Sequence, residues 1–300
     1  MPSLLVLGGT GFVGRHITEA ALAAGHDVTV FNRGRTNGDL FPGVARLVGD
    51  RYAGDVGALR SGEWDGVVDV NGYHPDHLGA LLEALDGRVG HYTFISTVSV
   101  YAPSATPIDE AAPLDTELQE PVDEIGPNYG PLKVRCEQAV REIFGDRCTI
   151  IRPGIVAGPH DPTERFTHWV RAAASGNEVL ATRPDQPVQV VHGRDQGDFV
   201  VAVTATGTPG TFNTTGPTEP VTMSQLLDAC FEAAGTEPRV RWLPEEEVAS
   251  AGLELPLYLP SAMGADGLFA ASCAAAVAAG LVNRPLVETA ADTLAWSRAA

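Results

Sequence analysis

Residues 4–14 read LLVLGGTGFVG, an apolar run that halts in a glycine-rich turn and continues with helical spacing. Residues 4–7 predict a buried strand, and residues 12–24 predict an amphipathic helix closed by Gly25, a residue suited to a helix C-terminus. Between them Gly8, Gly11 and Gly14, together with Thr10, Phe12 and Val13, allow a tight turn, close approach of backbone to a ligand, and helix amides aimed at a pyrophosphate. A glycine triplet alone is a weak signal. Its place between a strand and a helix gives it weight, and the expected ligand is a dinucleotide.

Working outward, strands are predicted at residues 26–31, 44–48, 64–70, 91–100 and 148–152, with helices at 77–85 and 133–144. This alternation predicts an α/β fold, a Rossmann-like doubly wound parallel sheet whose ligands gather beyond the C-terminal strand ends. From Pro153 onward proline and glycine become frequent, and short strands at 187–192 and 210–213 are expected among helices near 164–174, 196–205 and 223–234. Two closing helices are expected at 270–279 and 287–296. The predicted division is a dinucleotide-binding domain over 1–155 and a smaller, mainly substrate-binding part over 156–300 that does not stand alone.

The chain has 300 residues, 44% of them hydrophobic, enough for a sizeable core. Its net charge of −18 opposes nucleic acid and anionic membranes as partners. Cys136, Cys148, Cys230 and Cys273 are widely spaced and read as reduced thiols, and no His or acidic spacing suggests a metal. The N-terminal apolar run is used as a strand, and the stretch 268–282 is too short and alanine-rich to span a bilayer, so a cytoplasmic protein is expected.

Tyr129 and Lys133 lie four residues apart in YGPLK, so on a helix they share a face, and an ammonium beside a phenol stabilises phenolate. Tyr129 is then expected to titrate nearer neutrality and to act as general acid or base, with Lys133 holding a ribose hydroxyl. Pro131 suggests that the pair sits in a first helical turn. The hydroxyl-rich stretch STVSVY at 96–101 precedes it.

Through GGTGFVG, STVSVYA, YGPLK and RPGIVAGP the chain resembles the extended short-chain dehydrogenase/reductase superfamily, in its NAD(P)-dependent epimerase/dehydratase branch, over nearly its whole length. The resemblance implies that Thr97 holds the substrate oxygen, with Ser99 as the alternative, and that Tyr129 and Lys133 match the family's YxxxK pair. It also implies that Pro153 passes near the nicotinamide and that Asp50, with Arg51 beside it, meets the adenine. A homodimer is implied in the same way. Family dehydratases carry an Asp-Glu pair after the catalytic Thr; here Val98-Ser99 stands there, so dehydration would need Asp109 or Glu110 to reach the cleft.

At the end of the second strand a carboxylate would favour NAD, whereas this chain has Asn32 followed by Arg33 and Arg35, guanidiniums suited to a 2′-phosphate. NADP(H) is therefore expected over NAD(H). The expected activity is a ketoreductase-like interconversion of carbonyl and alcohol on a small-molecule or sugar-type substrate. The alternatives are a sugar-nucleotide epimerase or a non-catalytic NADP- or RNA-binding relative. Tyr73, His74, His77, His160 and Asp161 are placed to touch substrate or to be ordinary surface groups, and Asp195 is expected to cap a helix near His192.

Overall fold

The computed structural model describes residues 1–299. Its first strand, β1 (Ser3–Leu7), carries Leu4, Leu5, Val6 and Leu7, all fully shielded from solvent. A strand apolar at every position must be covered on both faces, as in a parallel sheet between helical layers. Leu5 and Leu7 pack to one side, Leu4 and Val6 to the other, following the alternation of side chains along a strand.

The sheet is completed by β2 (Asp27–Asn32), β3 (Ala45–Val48), β4 (Trp64–Asp69), β5 (Val89–Ile95), β6 (Cys148–Pro153) and β7 (Gly210–Thr214). Its seven strands run in the order β7-β6-β5-β4-β1-β2-β3, every neighbouring pair parallel. The fold is Rossmann-like. Strand order reverses between β1 and β4, so the loops after them diverge and leave a crevice beyond the strand ends.

The helices α1 (Phe12–Ala23), α2 (Gly79–Leu85), α3 (Ile125–Phe144), α4 (Arg165–Ala174), α5 (Gly193–Thr206) and α6 (Met223–Ala234) follow in chain order. One face of the sheet is covered by α2 and α3 through Leu81, Leu85, Val140 and Phe144. The other is covered by α1 and α5 through Ile17, Ala21, Phe199 and Val200. A separate core of Phe166, Trp169, Leu226, Phe231 and Leu294 joins α4, α6 and the helix Leu286–Ala299. Because α5 and β7 return to the sheet layer, that layer draws chain from both sides of the division expected at residue 155. No helix among the described residues is long and apolar enough to cross a membrane.

Two segments depart from expectation at the site itself. β5 ends at Ile95 instead of running to residue 100, because Thr97 Oγ1 accepts the Ser99 amide (3.1 Å) and starts the short turn Val98–Val100. α3 begins at Ile125, well before residue 133, so Pro131 lies inside the helix and not in its first turn. The buried Asn128 fixes that start: its Oδ1 accepts the Gln119 amide (2.6 Å), and its Nδ2 donates to the carbonyls of Gln119, Pro121 and Glu124.

Candidate active site

The glycine turn forms because Gly8 adopts φ +93°, a left-handed conformation that other residues avoid, and a Cβ on Gly14 would overlap the Gly8 carbonyl oxygen. The turn thus folds directly onto the start of α1. Gly11 caps that helix without any side-chain hydrogen bond, leaving its first amides open, the arrangement a pyrophosphate needs.

Two cavities meet at this turn. One, of about 270 Å³, is lined by Gly8, Thr10 and Gly11 with Asn32, Arg33, Arg35, Asp50 and Arg51. The other, of about 570 Å³, has Gly8, Gly11, Phe12, Val13 and Gly14 on one side and Thr97, Tyr129, Lys133 and Pro153 on the other. Every residue expected from the sequence to hold cofactor or perform chemistry lines one of the two. Asn71 and Tyr73 line both. Asn71 carries no motif in the sequence, but it follows β4 as Gly8 follows β1, and these neighbouring strands flank the crevice.

Within the smaller cavity the arginines differ in kind. Asn32 braces the strand end, accepting the Gly34 amide (2.9 Å) and donating to the Thr10 hydroxyl (3.4 Å). Arg33 and Arg35 are exposed, and neither pairs with a carboxylate among the described residues; Arg33 stands 6.0 Å over the Tyr52 ring. Arg51 is 7% exposed and donates two hydrogen bonds to Asp69 (2.9 and 2.8 Å), which also accepts from the Tyr92 hydroxyl (2.8 Å). Burial works against charge on Asp69, yet the guanidinium, the hydroxyl and the Asn71 amide outweigh it and hold the carboxyl below its ordinary range. Arg51 is thus part of the cavity wall, with its charge already committed. Asp50 accepts the Tyr52 amide (3.0 Å), capping a short turn.

The second cavity gathers the catalytic candidates. A Cβ on Gly130 would overlap the Ser99 carbonyl oxygen, so glycine here lets α3 press against the turn that begins at Thr97. That contact brings Thr97 and Tyr129 to the wall of one cavity, where the Thr97 hydroxyl acts on the phenol. Ser99 is exposed, and its amide and hydroxyl are both turned to Thr97.

The Lys133 ammonium is 1% exposed, donates to the carbonyls of Gly72 (2.7 Å) and Ile95 (2.6 Å), and lies 4.1 Å from the Phe94 ring centre. Burial lowers its pKa to about 8. The expected acidification of Tyr129 by Lys133 is not found: burial raises the phenol above its ordinary value, opposed by the Thr97 hydroxyl and the charge of Arg165. The reason is geometric, since two carbonyl oxygens hold the ammonium toward the strand ends.

The remaining candidates separate. His74 caps a short turn (3.3 Å from the Asp76 amide) and His77 packs on Tyr52 (ring centres 4.6 Å); neither lines either of these two cavities. His160 turns toward His16 and Trp296, whereas Asp161 lines the larger cavity. Glu110 binds the Asn213 amide of β7 (2.8 Å) and Asp109 caps its own turn, so neither supplies the acid or base of a dehydratase. His192, not Asp195, caps α5, accepting the Arg194 amide (2.9 Å), while Asp195 pairs with Arg284 (2.6 Å).

A sequence profile of the NAD dependent epimerase/dehydratase family matches residues 4–56 and 75–214, and the chain belongs to that family. Over 268 residues, 81% of this chain and 66% of the relative, it is 27% identical to the chloroplast stem-loop binding protein of 41 kDa b from Arabidopsis thaliana. Over 184 residues, 52% of each protein, it is 30% identical to UDP-glucose 4-epimerase from Corynebacterium glutamicum. The chain spans between about half and two thirds of these curated relatives, 52% and 66% respectively. The solved structure of Thermus thermophilus UDP-glucose 4-epimerase in complex with NAD shares the fold, with a TM-score of 0.69, 20% identity and 99% of both chains covered.

Proposed function

We propose that the chain interconverts an alcohol and a carbonyl on a small-molecule substrate with a nicotinamide dinucleotide, acting as a ketoreductase that prefers NADP(H) over NAD(H). The observation that carries this is the meeting of Thr97, Tyr129 and Lys133 on the wall of a cavity that opens onto the glycine turn. When bound, the nicotinamide supplies or accepts the hydride. Thr97 orients the substrate oxygen, and the Tyr129 phenol gives it a proton during reduction. Burial favours the protonated phenol, which suits that direction at neutral pH. Lys133 keeps a third N–H beyond its two carbonyl contacts for a ribose hydroxyl. The unpaired Arg33 and Arg35, beside Asn32 in place of a carboxylate, support the choice of NADP(H).

Tyr129→Phe removes the transferable proton and leaves the ring. The expected result is retained NADPH binding with turnover reduced by about 10²- to 10⁴-fold; unchanged turnover defeats the assignment. A second reading, sugar-nucleotide epimerisation, is supported by the 30% identity to UDP-glucose 4-epimerases. An epimerase interconverts its sugars with no net cofactor change, whereas a reductase consumes NADPH, so absorbance at the reduced nicotinamide band separates the two. RNA binding without turnover is disfavoured by the charge of −18, and tight, salt-sensitive RNA binding would revive it.

A further inference from the structure

The larger cavity has a second charged wall that the proton-transfer chemistry does not use. The chain leaving the short strand Ile155–Ala157 brings Asp161, Thr163 and Arg165 to it. Asp161 is 1% exposed; its Oδ1 accepts the Thr163 amide (2.8 Å) and hydroxyl (2.7 Å), while Oδ2 has no partner. That oxygen is shut off from solvent, so Asp161 acts on the cavity it lines through Thr163.

Arg165 is tethered to the same group. Its Nε donates to the Thr163 hydroxyl (3.2 Å), and its two terminal nitrogens meet no acceptor among the described residues. The adjacent Glu164 is taken by Arg171 (2.9 Å), so it does not neutralise Arg165. Arg165 is near enough to Tyr129 for its charge to act on the phenol. Facing this pair, Leu259, Leu268 and Phe269 supply an apolar surface. Arg165 is exposed, but it lines the cavity and its Nε is held by Thr163, which limits the positions its terminal nitrogens can take.

We propose that Arg165, braced by Asp161 through Thr163, forms a subsite for a substrate bearing a carboxylate close to the reacting carbon. The terminal nitrogens of Arg165 take the carboxylate as a bidentate pair, while Asp161 holds the Thr163 hydroxyl to which the Arg165 Nε donates. The proposal rests on the reaction assigned to Tyr129 and adds the substrate class. It also adds a coupling: a bound carboxylate offsets the Arg165 charge at the phenol, so an acidic substrate helps keep Tyr129 protonated for its own reduction.

The test is calorimetric titration of the NADP⁺-loaded protein with two matched pairs, UDP-glucuronate against UDP-glucose and 3-hydroxybutyrate against 3-hydroxybutanamide, with UDP alone as a third arm. In at least one pair the acid is expected to bind about 10- to 100-fold tighter than its neutral partner. Arg165→Met erases that ratio, Arg165→Lys keeps part of it, and Arg171→Met on the same helix leaves it intact. Asp161→Ala removes the Thr163 brace and lowers the ratio without erasing it.

Equal affinities within both pairs overturn the proposal, as does a preference that survives Arg165→Met. A loss of UDP affinity in Arg165→Met equal to that of UDP-glucuronate overturns it too, by making the arginine a diphosphate contact. Acid preference without cofactor-coupled turnover sinks the redox assignment and leaves the subsite. Turnover without acid preference sinks the subsite alone.

Discussion

Three arginines line the smaller cavity, and only two are free to meet a ligand phosphate, which makes cofactor selectivity the sharpest measurable consequence of the structure. Charge-assisted hydrogen bonds contribute about 1.5–3 kcal/mol when shielded. Arg33 and Arg35 are exposed, and solvent screening reduces this to about 0.2–1 kcal/mol each. Arg33→Ala should therefore weaken NADPH by up to about 5-fold and leave NADH nearly unchanged, with Arg33→Ala/Arg35→Ala compounding the loss. Arg51→Met should behave differently. It strands the buried carboxylate of Asp69, at a cost of about 3–5 kcal/mol in folding stability, and it should weaken both cofactors alike. Parallel fluorescence titrations with NADPH and NADH, together with urea unfolding of each variant, read both effects. Equal losses of NADPH and NADH in Arg33→Ala, or NADPH selectivity lost in Arg51→Met without a stability change, would refute the division into free and committed guanidiniums.

Gly130→Ala places a methyl against the Ser99 carbonyl and should push the Tyr129 helix off the Thr97 turn, costing about 1–3 kcal/mol in stability and lowering kcat more than it raises KM; a variant with normal kcat would show that this contact does not set the site. Burial depresses Lys133 from 10.5 to about 8, so between those values the unfolded chain holds more protons and this residue makes stability rise with pH. The rise is at most about 3 kcal/mol, because the Gly72 and Ile95 carbonyls favour the charged form and work against it. Urea unfolding of the wild type and Lys133→Met at pH 7.5 and 10 isolates this component as their difference, and a difference that shrinks stability with pH contradicts the sign.

The sheet was legible because β1 is apolar at each of residues 4–7 and is followed at once by a glycine turn, a local pattern that leaves few alternatives. Gly8, Asn32 and Thr97 stand out in the sequence for the same reason, each at or just beyond a strand end, whereas Tyr129 and Lys133 lie inside α3 and are marked only by their spacing. What the sequence conceals is competition for each charge. Nothing in GDR at 49–51 announces that Arg51 is claimed by Asp69 from another strand, whereas Arg33 and Arg35 remain unclaimed. Likewise YGPLK shows that Lys133 shares a helix with Tyr129, and only the tertiary fold shows two carbonyls drawing the ammonium away. The start of α3 was hidden because Asn128 fixes it through a loop whose path the local sequence does not specify.

That competition shapes the chemistry of the cleft. With Lys133 bound to backbone oxygens, the groups opposing burial at the Tyr129 phenol are the Thr97 hydroxyl and the Arg165 guanidinium. Thr97 belongs to the turn that ends β5, and Arg165 to the segment that opens α4, so the two come from the two parts of the chain whose cores are separate. The acidity of the phenol therefore depends on how these parts meet across the cleft, and a substrate that engages Arg165 acts on Tyr129 without touching it. In the proposed chemistry, cofactor recognition lies with the glycine turn and the β2 terminus, while control of the proton lies with the wall that would read the substrate.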